Sequence, residues 1–293
     1  MPLDLRSRLG YTPCIHAVVG NCSIASLIDK TRGRQLAGQG LNVLAGGQVT
    51  KARLSNVGPV SATLNLTLTG TPARQVALTL FRDVNRLEID DRIVNFDVPA
   101  SGAYHYRFAF NLPNADIRFE ELGAIAKPGL TSDGGNFLPG SRTQYMALNH
   151  FVSLIDGSYA ATLSNEDSFA MRIGDSGVST FDLPSSVINV FAVGNPYTPG
   201  INPTTIKKQA GDQNFRHRFA IFAQPGAYSA AEAMRGSLAH QNPLYVLPLF
   251  VPISLLVGMA LARVPLGRVS ATLAALWLAA LLAAKVFLST MPN

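Results

Sequence analysis

Alternation with a period of two dominates the chain from Val60 to Leu112. Val60, Ala62, Leu64, Leu66 and Leu68 interleave with Ser61, Thr63, Asn65 and Thr67. Successive side chains of a strand face opposite sides, so the pattern predicts a half-buried antiparallel strand. Val76 to Leu80 continues the theme, and Leu87 and Ile89 alternate with Arg86, Glu88 and Asp90. Tyr104, Tyr106, Phe108, Phe110 and Leu112 make an aromatic face opposite His105, Arg107 and Asn111. Ahead of this region, Cys14 to Leu36 holds an apolar run, a Gly20-Asn21 turn, a second apolar run and a polar corner at Asp29 to Arg34. That order predicts a β-hairpin. Further strands are predicted at Tyr145 to Leu154, Tyr159 to Ser164, Phe169 to Ile173, Val187 to Val193 and Phe215 to Ala223. One helix is predicted upstream of Pro243, over Ala230 to His240, because Ser229 and Glu232 have the spacing of a capping box and Asn242-Pro243 supplies a stop.

A dozen or so strands without long intervening helices exclude a parallel α/β sheet, whose crossovers need them. The predicted class is all-β, a large antiparallel sandwich with one short helix. Composition changes near Gln241-Asn242-Pro243, which divides the chain into a β unit over 1–243 and an apolar tail over 244–293. The first 25 residues contain no continuous apolar run of secretory-signal length, Tyr11 to Val19 being interrupted by Pro13 and His16.

The tail alters the picture most. Leu244 to Ala262 carries no charge, nor does Val269 to Ala284, and Lys285 precedes a last Val-Phe-Leu. At about 1.5 Å per residue the first run is long enough for a bilayer core of about 30 Å, and the second is close to it. Two apolar helices forming a membrane hairpin are therefore predicted, with the lipid bilayer as a partner over 244–288. Arg263 and Arg268 in the connection would place the turn in the cytoplasm. If the tail is not an anchor, a cytoplasmic location follows. Two accounts compete with an anchor: a folded apolar continuation of the β unit, against which the Ala/Leu-rich composition with Pro248 and Pro252 counts, and a fragment whose two ends have been altered.

All acidic residues precede Leu244, and the tail holds only Arg263, Arg268 and Lys285, so the net +6 of the chain leaves +3 for the β unit. A charge that mild argues against nucleic acid as a partner. Cys14 and Cys22 lie across the predicted turn without a disulfide framework or metal-type spacing, which favours two buried free thiols over a cross-strand bridge. His16, His105, His150, His217 and His240 are scattered, with no H-x-x-x-H or H-x-H spacing. Neither a G-x-S-x-G elbow nor a phosphate loop is present.

Several blocks resemble the C-terminal β-domain of family 38 glycoside hydrolases, the α-mannosidases. Ser23 to Lys30 followed by Gly33-Arg34-Gln35-Leu36 is similar to the segment that opens that domain, and Leu78 to Arg92 to an apolar strand that turns into an acidic one. Tyr106 to Pro113 resembles the next aromatic strand, and His150 to Asn165 a hairpin with an Asp-Gly turn. Phe219 to Tyr228, the capped helix and Asn242-Pro-Leu244 are similar to the closing strand and helix. The shared order of these blocks over residues 14–244 is the signal. The resemblance implies a twisted supersandwich of the galactose-mutarotase-like type and a carbohydrate-related role. It also implies that the family's zinc and nucleophile belong to a separate catalytic domain, so that no cofactor and no catalytic residue is expected here.

Retaining glycoside hydrolysis needs two carboxyls roughly 5 Å apart. Glu88 with Asp90, Asp90 with Asp91, and Glu120 with Glu121 are available, but Glu88 and Asp90 fall on the solvent phase of their strand and Glu120-Glu121 reads as a rim pair. Sugar sites combine aromatic faces with amide, guanidinium and carboxylate groups. Asp133, Asn136, Arg142, Tyr145, Asn149 and His150 cluster around the longest loop and are the candidate carbohydrate-binding residues, with a glycan or mannoside as ligand; a core Tyr145 among turn residues is the plainer account. The expected function is sugar binding or completion of a glycosidase site, without hydrolysis by this chain alone. Alternatives are a mutarotase-like sugar isomerase, for which only His105, His150 and His217 with Glu120 are available, and a membrane-held structural module.

Overall fold

A computed structural model describes residues 3–4, 15–20, 22–99, 102–195, 212–224 and 226–242. Among them the chain order begins with β1 (Leu3–Asp4), β2 (Ile15–Gly20), β3 (Ser23–Asp29), β4 (Arg34–Gln35), β5 (Gly47–Ser55), β6 (Ser61–Gly70), β7 (Ala73–Phe81), β8 (Arg86–Val94) and β9 (Gly102–Ala109). It continues with β10 (Asp116–Glu121), β11 (Ala124–Ala126), β12 (Met146–Ala147), β13 (Phe151–Asp156), β14 (Tyr159–Asn165), β15 (Ala170–Ile173), β16 (Val187–Asn195), β17 (Phe215–Ala223) and α1 (Ala230–Gln241). The two C-terminal helices expected over 244–293, and Cys14, lie outside the described residues. Among those described, no helix is long and apolar enough to cross a membrane. Cys22 is a buried free thiol.

The strands form a nine-stranded sheet in the order β11-β10-β13-β14-β17-β8-β7-β6-β5 and two four-stranded sheets, β1-β2-β3-β4 and β12-β15-β16-β9. Neighbouring strands run antiparallel throughout, for example β7 with β8 and β8 with β17. The segment after β4 links the small sheets: Leu41 exchanges backbone hydrogen bonds with Ile24 of β3, and Val43 with Arg107 at the free edge of β9. One apolar core draws on all three sheets, from Leu27 of β3 to Leu78 of β7 and Phe108 of β9. Tyr106 and Phe108 of β9 reach across it to Phe219 of β17, with ring centroids 5.2 and 5.1 Å apart. The all-β antiparallel class read from the alternation is thus the architecture of the described chain.

Registers follow the period-two pattern. Along β8, Leu87, Ile89, Asp91 and Ile93 are buried on the core side, while Glu88, Asp90 and Arg92 face the other way. Asp91 is the exception in kind: it is fully buried, and the almost fully buried Arg74 of β7 binds its carboxylate through two nitrogens. Asn42 Nδ2 donates to the same carboxylate at 2.7 Å, and the Arg74 guanidinium also lies 5.5 Å from the Tyr106 ring. Burial works against the charge on Arg74, and Asp91 more than offsets it. A buried ion pair holds only when such bonds replace the lost hydration.

The helix begins at the predicted cap, but only half of the capping box forms, because Ser229 N donates to Gln224 Oε1 at 2.7 Å instead of to Glu232. Ser229 is extended, and its Oγ accepts from Glu232 N at 3.3 Å, while the Glu232 carboxylate pairs with Arg235. Small residues let α1 sit tightly on β13, β14 and β17. A Cβ on Gly236 would stand 2.5 Å from the Phe222 ring. The helix thereby covers the outer face of the large sheet at β13, β14 and β17 and not at β5 to β7.

The single strand expected over Tyr145 to Leu154 is divided. Met146–Ala147 pairs in a small sheet with β15, and Phe151–Asp156 pairs in the large sheet with β10 and β14. Asn149 and His150 carry the chain from one layer to the other.

Candidate functional site

The loop from Lys127 to Gln144 closes on its own backbone. Lys127 N donates to Asn136 Oδ1 at 2.5 Å, and Asn136 N donates to the Lys127 carbonyl at 3.0 Å. Gly135 passes so close to Gly129 that a Cβ would stand 2.0 Å from its carbonyl oxygen, so the position requires glycine. Phe137 pins the loop against Phe119, at 6.3 Å between centroids, and against Phe181, at 5.2 Å. Asn136 is therefore spent on closing the loop. Asp133 ends a 3-10 turn at the exposed tip and accepts from Ser132 Oγ at 3.3 Å. Arg142 is exposed and makes no hydrogen bond or ion pair with a described residue.

Glu120 is not the rim acid that its place at a strand end suggests. It is fully buried; Oε2 accepts from His150 N at 3.1 Å and lies 2.8 Å from His150 Nδ1, while Oε1 accepts from Gly123 N. Although burial opposes it, these donors hold the Glu120 carboxyl below its ordinary value. His150 is one-third exposed, and with Nδ1 occupied its Nε2 is the atom left for another partner. A buried carboxylate orienting an accessible imidazole is an acid-base arrangement. The neighbouring Asn149 contributes backbone contacts, its N donating to the Glu120 carbonyl at 3.3 Å.

Tyr145 belongs to a different group. Its hydroxyl and His105 Nε2 share a hydrogen bond of 2.8 Å, and the two rings stack at 5.6 Å and 15°. His105 lies 6.0 Å from the Phe191 ring, which lies 5.0 Å from Phe169. Register places His105 opposite Phe191 and Arg172 opposite Asn189, so Tyr145, His105, Phe191 and Phe169 form a strip on the outer face of the β12-β15-β16-β9 sheet. Phe169 is 56% exposed and is the aromatic member of the exposed large apolar side chains described. Burial, and then the charge of Arg172, lowers the pKa of His105 to about 4, which keeps the imidazole neutral near pH 7. Burial raises the Tyr145 hydroxyl, with Arg172 opposing. The Nε of Arg172 is buried without a hydrogen-bond partner.

The structure thus separates the six sequence candidates. Tyr145 joins the ring strip, Asn149 and His150 join Glu120, Asp133 and Asn136 shape the loop, and Arg142 stands apart. Sequence reading missed His105, Phe169, Phe191 and Arg172 as one group. The available signal was an aromatic on the outward phase of a strand, where alternation asks for a polar residue.

The three histidines considered with Glu120 lie in three places. His217 is in the core, where Nε2–H donates to the Ala192 carbonyl at 3.2 Å and Nδ1 accepts from Tyr106 Oη at 3.2 Å. Of the carboxylate pairs, Asp90 and Asp91 project to opposite faces, as neighbours on a strand must. Glu88 is bound to Arg86, and Asp90 to Arg216 and Arg92. Among the described residues no group of three or more His, Cys, Asp and Glu side chains converges as a metal site.

No protein-family model matches the sequence, and no curated protein matches it. Solved structures do match the fold. An α-mannosidase from Enterococcus faecalis V583 superposes with a TM-score of 0.56 at 12% identity, covering 80% of this chain and 32% of that one. A glycosyl hydrolase family 38 protein from Enterococcus faecalis gives a TM-score of 0.54 at 12% identity over 78% of this chain and 32% of that one. The resemblance read from the sequence blocks therefore holds at the level of fold, and the chain spans about a third of the length of those proteins. A galactose mutarotase-like protein from Lactobacillus casei reaches a TM-score of only 0.41, too distant to bear on function.

Proposed function

We propose that the β unit is a carbohydrate-binding module, taking a neutral hexose of the mannose class against the Tyr145-His105-Phe191-Phe169 strip and acting beside a separate catalytic domain instead of hydrolysing glycosides itself. The observation that carries the reading is the strip: the exposed Phe169 and the half-buried Tyr145 and His105 offer ring surface to the apolar side of a pyranose, the buried Phe191 backs them, and the Arg172 charge lies close to His105 and Tyr145. The shared fold with part of an α-mannosidase supports the class of ligand. Of the six sequence candidates only Tyr145 belongs to the strip; Asp133 and Asn136 shape the loop, Asn149 and His150 sit with Glu120, and Arg142 stands apart. Titration calorimetry of the full chain with mannobiose and longer mannosides tests this. Tyr145→Ala and Phe169→Ala are each expected to weaken binding by about tenfold, the scale of one lost aromatic contact, and Arg142→Ala by less. Undiminished affinity in both aromatic variants would sink the reading.

A sugar-isomerising role has one supporting observation, the Glu120–His150 hydrogen bond. It expects faster exchange of anomers of free hexose than buffer gives, and loss of that rate in Glu120→Gln. Contact of residues 244–288 with a bilayer is likewise a proposal, supported by the uncharged runs of the tail.

A further inference from the structure

Away from α1, the outer face of β6, β7 and β8 carries a groove of about 290 Å³. It is lined by Asn65, Leu66, Thr67, Gln75, Val76, Ala77, Asp90 and Arg92. The depression has a simple cause: Ala77 is a small residue between longer neighbours on β6 and β8, opposite Asn65 and Asp90 in the register. The side chains of Leu66 and Val76 are buried in the core, so the side chains that face the groove are mainly amides and hydroxyls, groups that both donate and accept.

Charge is distributed unevenly around it. On one side, Lys51 and Arg53 of β5 pair in register with Thr67 and Asn65 and share their face; both are exposed and make no ion pair with a described residue. On the other, Arg92 and Arg216 share Asp90, Arg216 in a bidentate contact at 2.7 and 3.0 Å and Arg92 at 3.3 and 3.4 Å. Four cations thus flank a polar floor that holds one carboxylate. Arg218, next along β17, adds nothing to the excess, because Glu166 and Asp167 already bind it.

We propose that this groove is a second ligand site that takes an acidic saccharide, a uronate or sulfated chain. Its hydroxyls would bond Asn65, Thr67 and Gln75, and its anionic groups would meet Arg53 and Lys51 on one rim and Arg92 on the other. Guanidinium matches carboxylate and sulfate in two-point geometry, and amides match hydroxyls in either role. The absence of a large apolar side chain on the described floor disfavours a peptide, which needs pockets for its side chains. The site is independent of the aromatic strip and lies on a different sheet.

The test is binding of oligogalacturonate to the full chain, measured by calorimetry at low and physiological salt, beside a neutral mannoside and a single-stranded DNA. Uronate binding that weakens with salt is expected, since exposed ion pairs are screened. Two variants separate shape from charge. Arg53→Glu with Lys51→Glu changes exposed side chains only, and Ala77→Phe fills the groove with a residue that strands favour. Each is expected to reduce uronate affinity at least tenfold, while Tyr145→Ala leaves it unchanged. Uronate binding unaltered by Ala77→Phe, or DNA bound as tightly as the uronate and equally weakened by the charge reversal alone, would overturn the proposal. Failure of mannoside binding bears only on the strip.

Discussion

Asp90 and Asp91 are neighbours on β8, yet they belong to two regions with different physics. Asp91 faces the core, has no exposed surface and is bound by Arg74 and Asn42. Asp90 faces the open side, where the exposed Arg92 and Arg216 share it. The same chemical pairing, aspartate with arginine, is a structural necessity on one side of the strand and an adjustable surface feature on the other. What separates them is the replacement of hydration: on the core side Arg74 and Asn42 replace the water lost by the Asp91 carboxylate, even though Arg74 Nη1 and Asn42 Oδ1 themselves have no partner, whereas on the open side water supplies what the protein does not.

The largest test of that contrast is Asp91→Ala. It leaves the Arg74 guanidinium buried without its counter-charge and is expected to destabilise the fold by about 3–5 kcal/mol in denaturant titration. Combining Asp91→Leu with Arg74→Met should restore most of the loss. If Asp91→Ala alone cost no more than a surface change, the core side would not depend on the pair.

Acidification should distinguish the two faces more gently. His217 lies opposite Asp91 in register, and burial depresses its pKa, with Asp91 opposing. Burial likewise depresses His105 and His240, both to about 4. A group neutral when folded but protonated when unfolded makes the unfolded chain bind more protons, so stability rises with pH. The histidine contribution is therefore complete above about pH 6.5, the ordinary histidine value, and declines as pH falls below it. Asp90 is partly buried, yet Arg216 and Arg92 hold its carboxyl below the ordinary value, so its contribution persists to about pH 4 and is lost only lower. Melting temperatures recorded from neutral pH downward should begin to fall in the histidine window, and His217→Gln should flatten the fall. A curve level down to the carboxylate range would contradict this.

The smallest effect is expected from Asp90→Asn, under about 1 kcal/mol, since its partners are exposed and solvated. The measurement that sharpens the contrast is the same denaturant titration at high salt. Salt should shrink the Asp90 effect and leave that of Asp91 intact.

Much of this fold was legible. Strands with one buried face, such as β6 and β8, appear in the sequence as alternation, and the cap at Ser229 appears as a spacing. The edge strand β5 did not, because its Gly-Gln-Val-Thr-Lys-Ala-Arg-Leu-Ser run is exposed over most of its length and only Val49 and Leu54 pack against the core. The break between β12 and β13 was hidden for the opposite reason: both pieces are buried, and an apolar run does not say which sheet it joins. Glu120 looked peripheral because it lies at the end of a strand, yet the turn that follows folds Gly123 N back onto it. Arg74 and Asp91 did leave a trace, as opposite charges on the core phase of adjacent strands. The groove was obscured by summation, since a mild net charge over the β unit averages a cationic rim with acids elsewhere.

Among the described strands β5 has a neighbour on one side only, and its ladder with β6 is interrupted between Val49 and Lys51. An unpaired edge invites a second chain to extend the sheet, and an irregular backbone carrying cations resists such templating. Straightening that segment while neutralising Lys51 and Arg53 would therefore do more than empty a groove: it would offer a docking rail along which copies of the chain could stack into fibres.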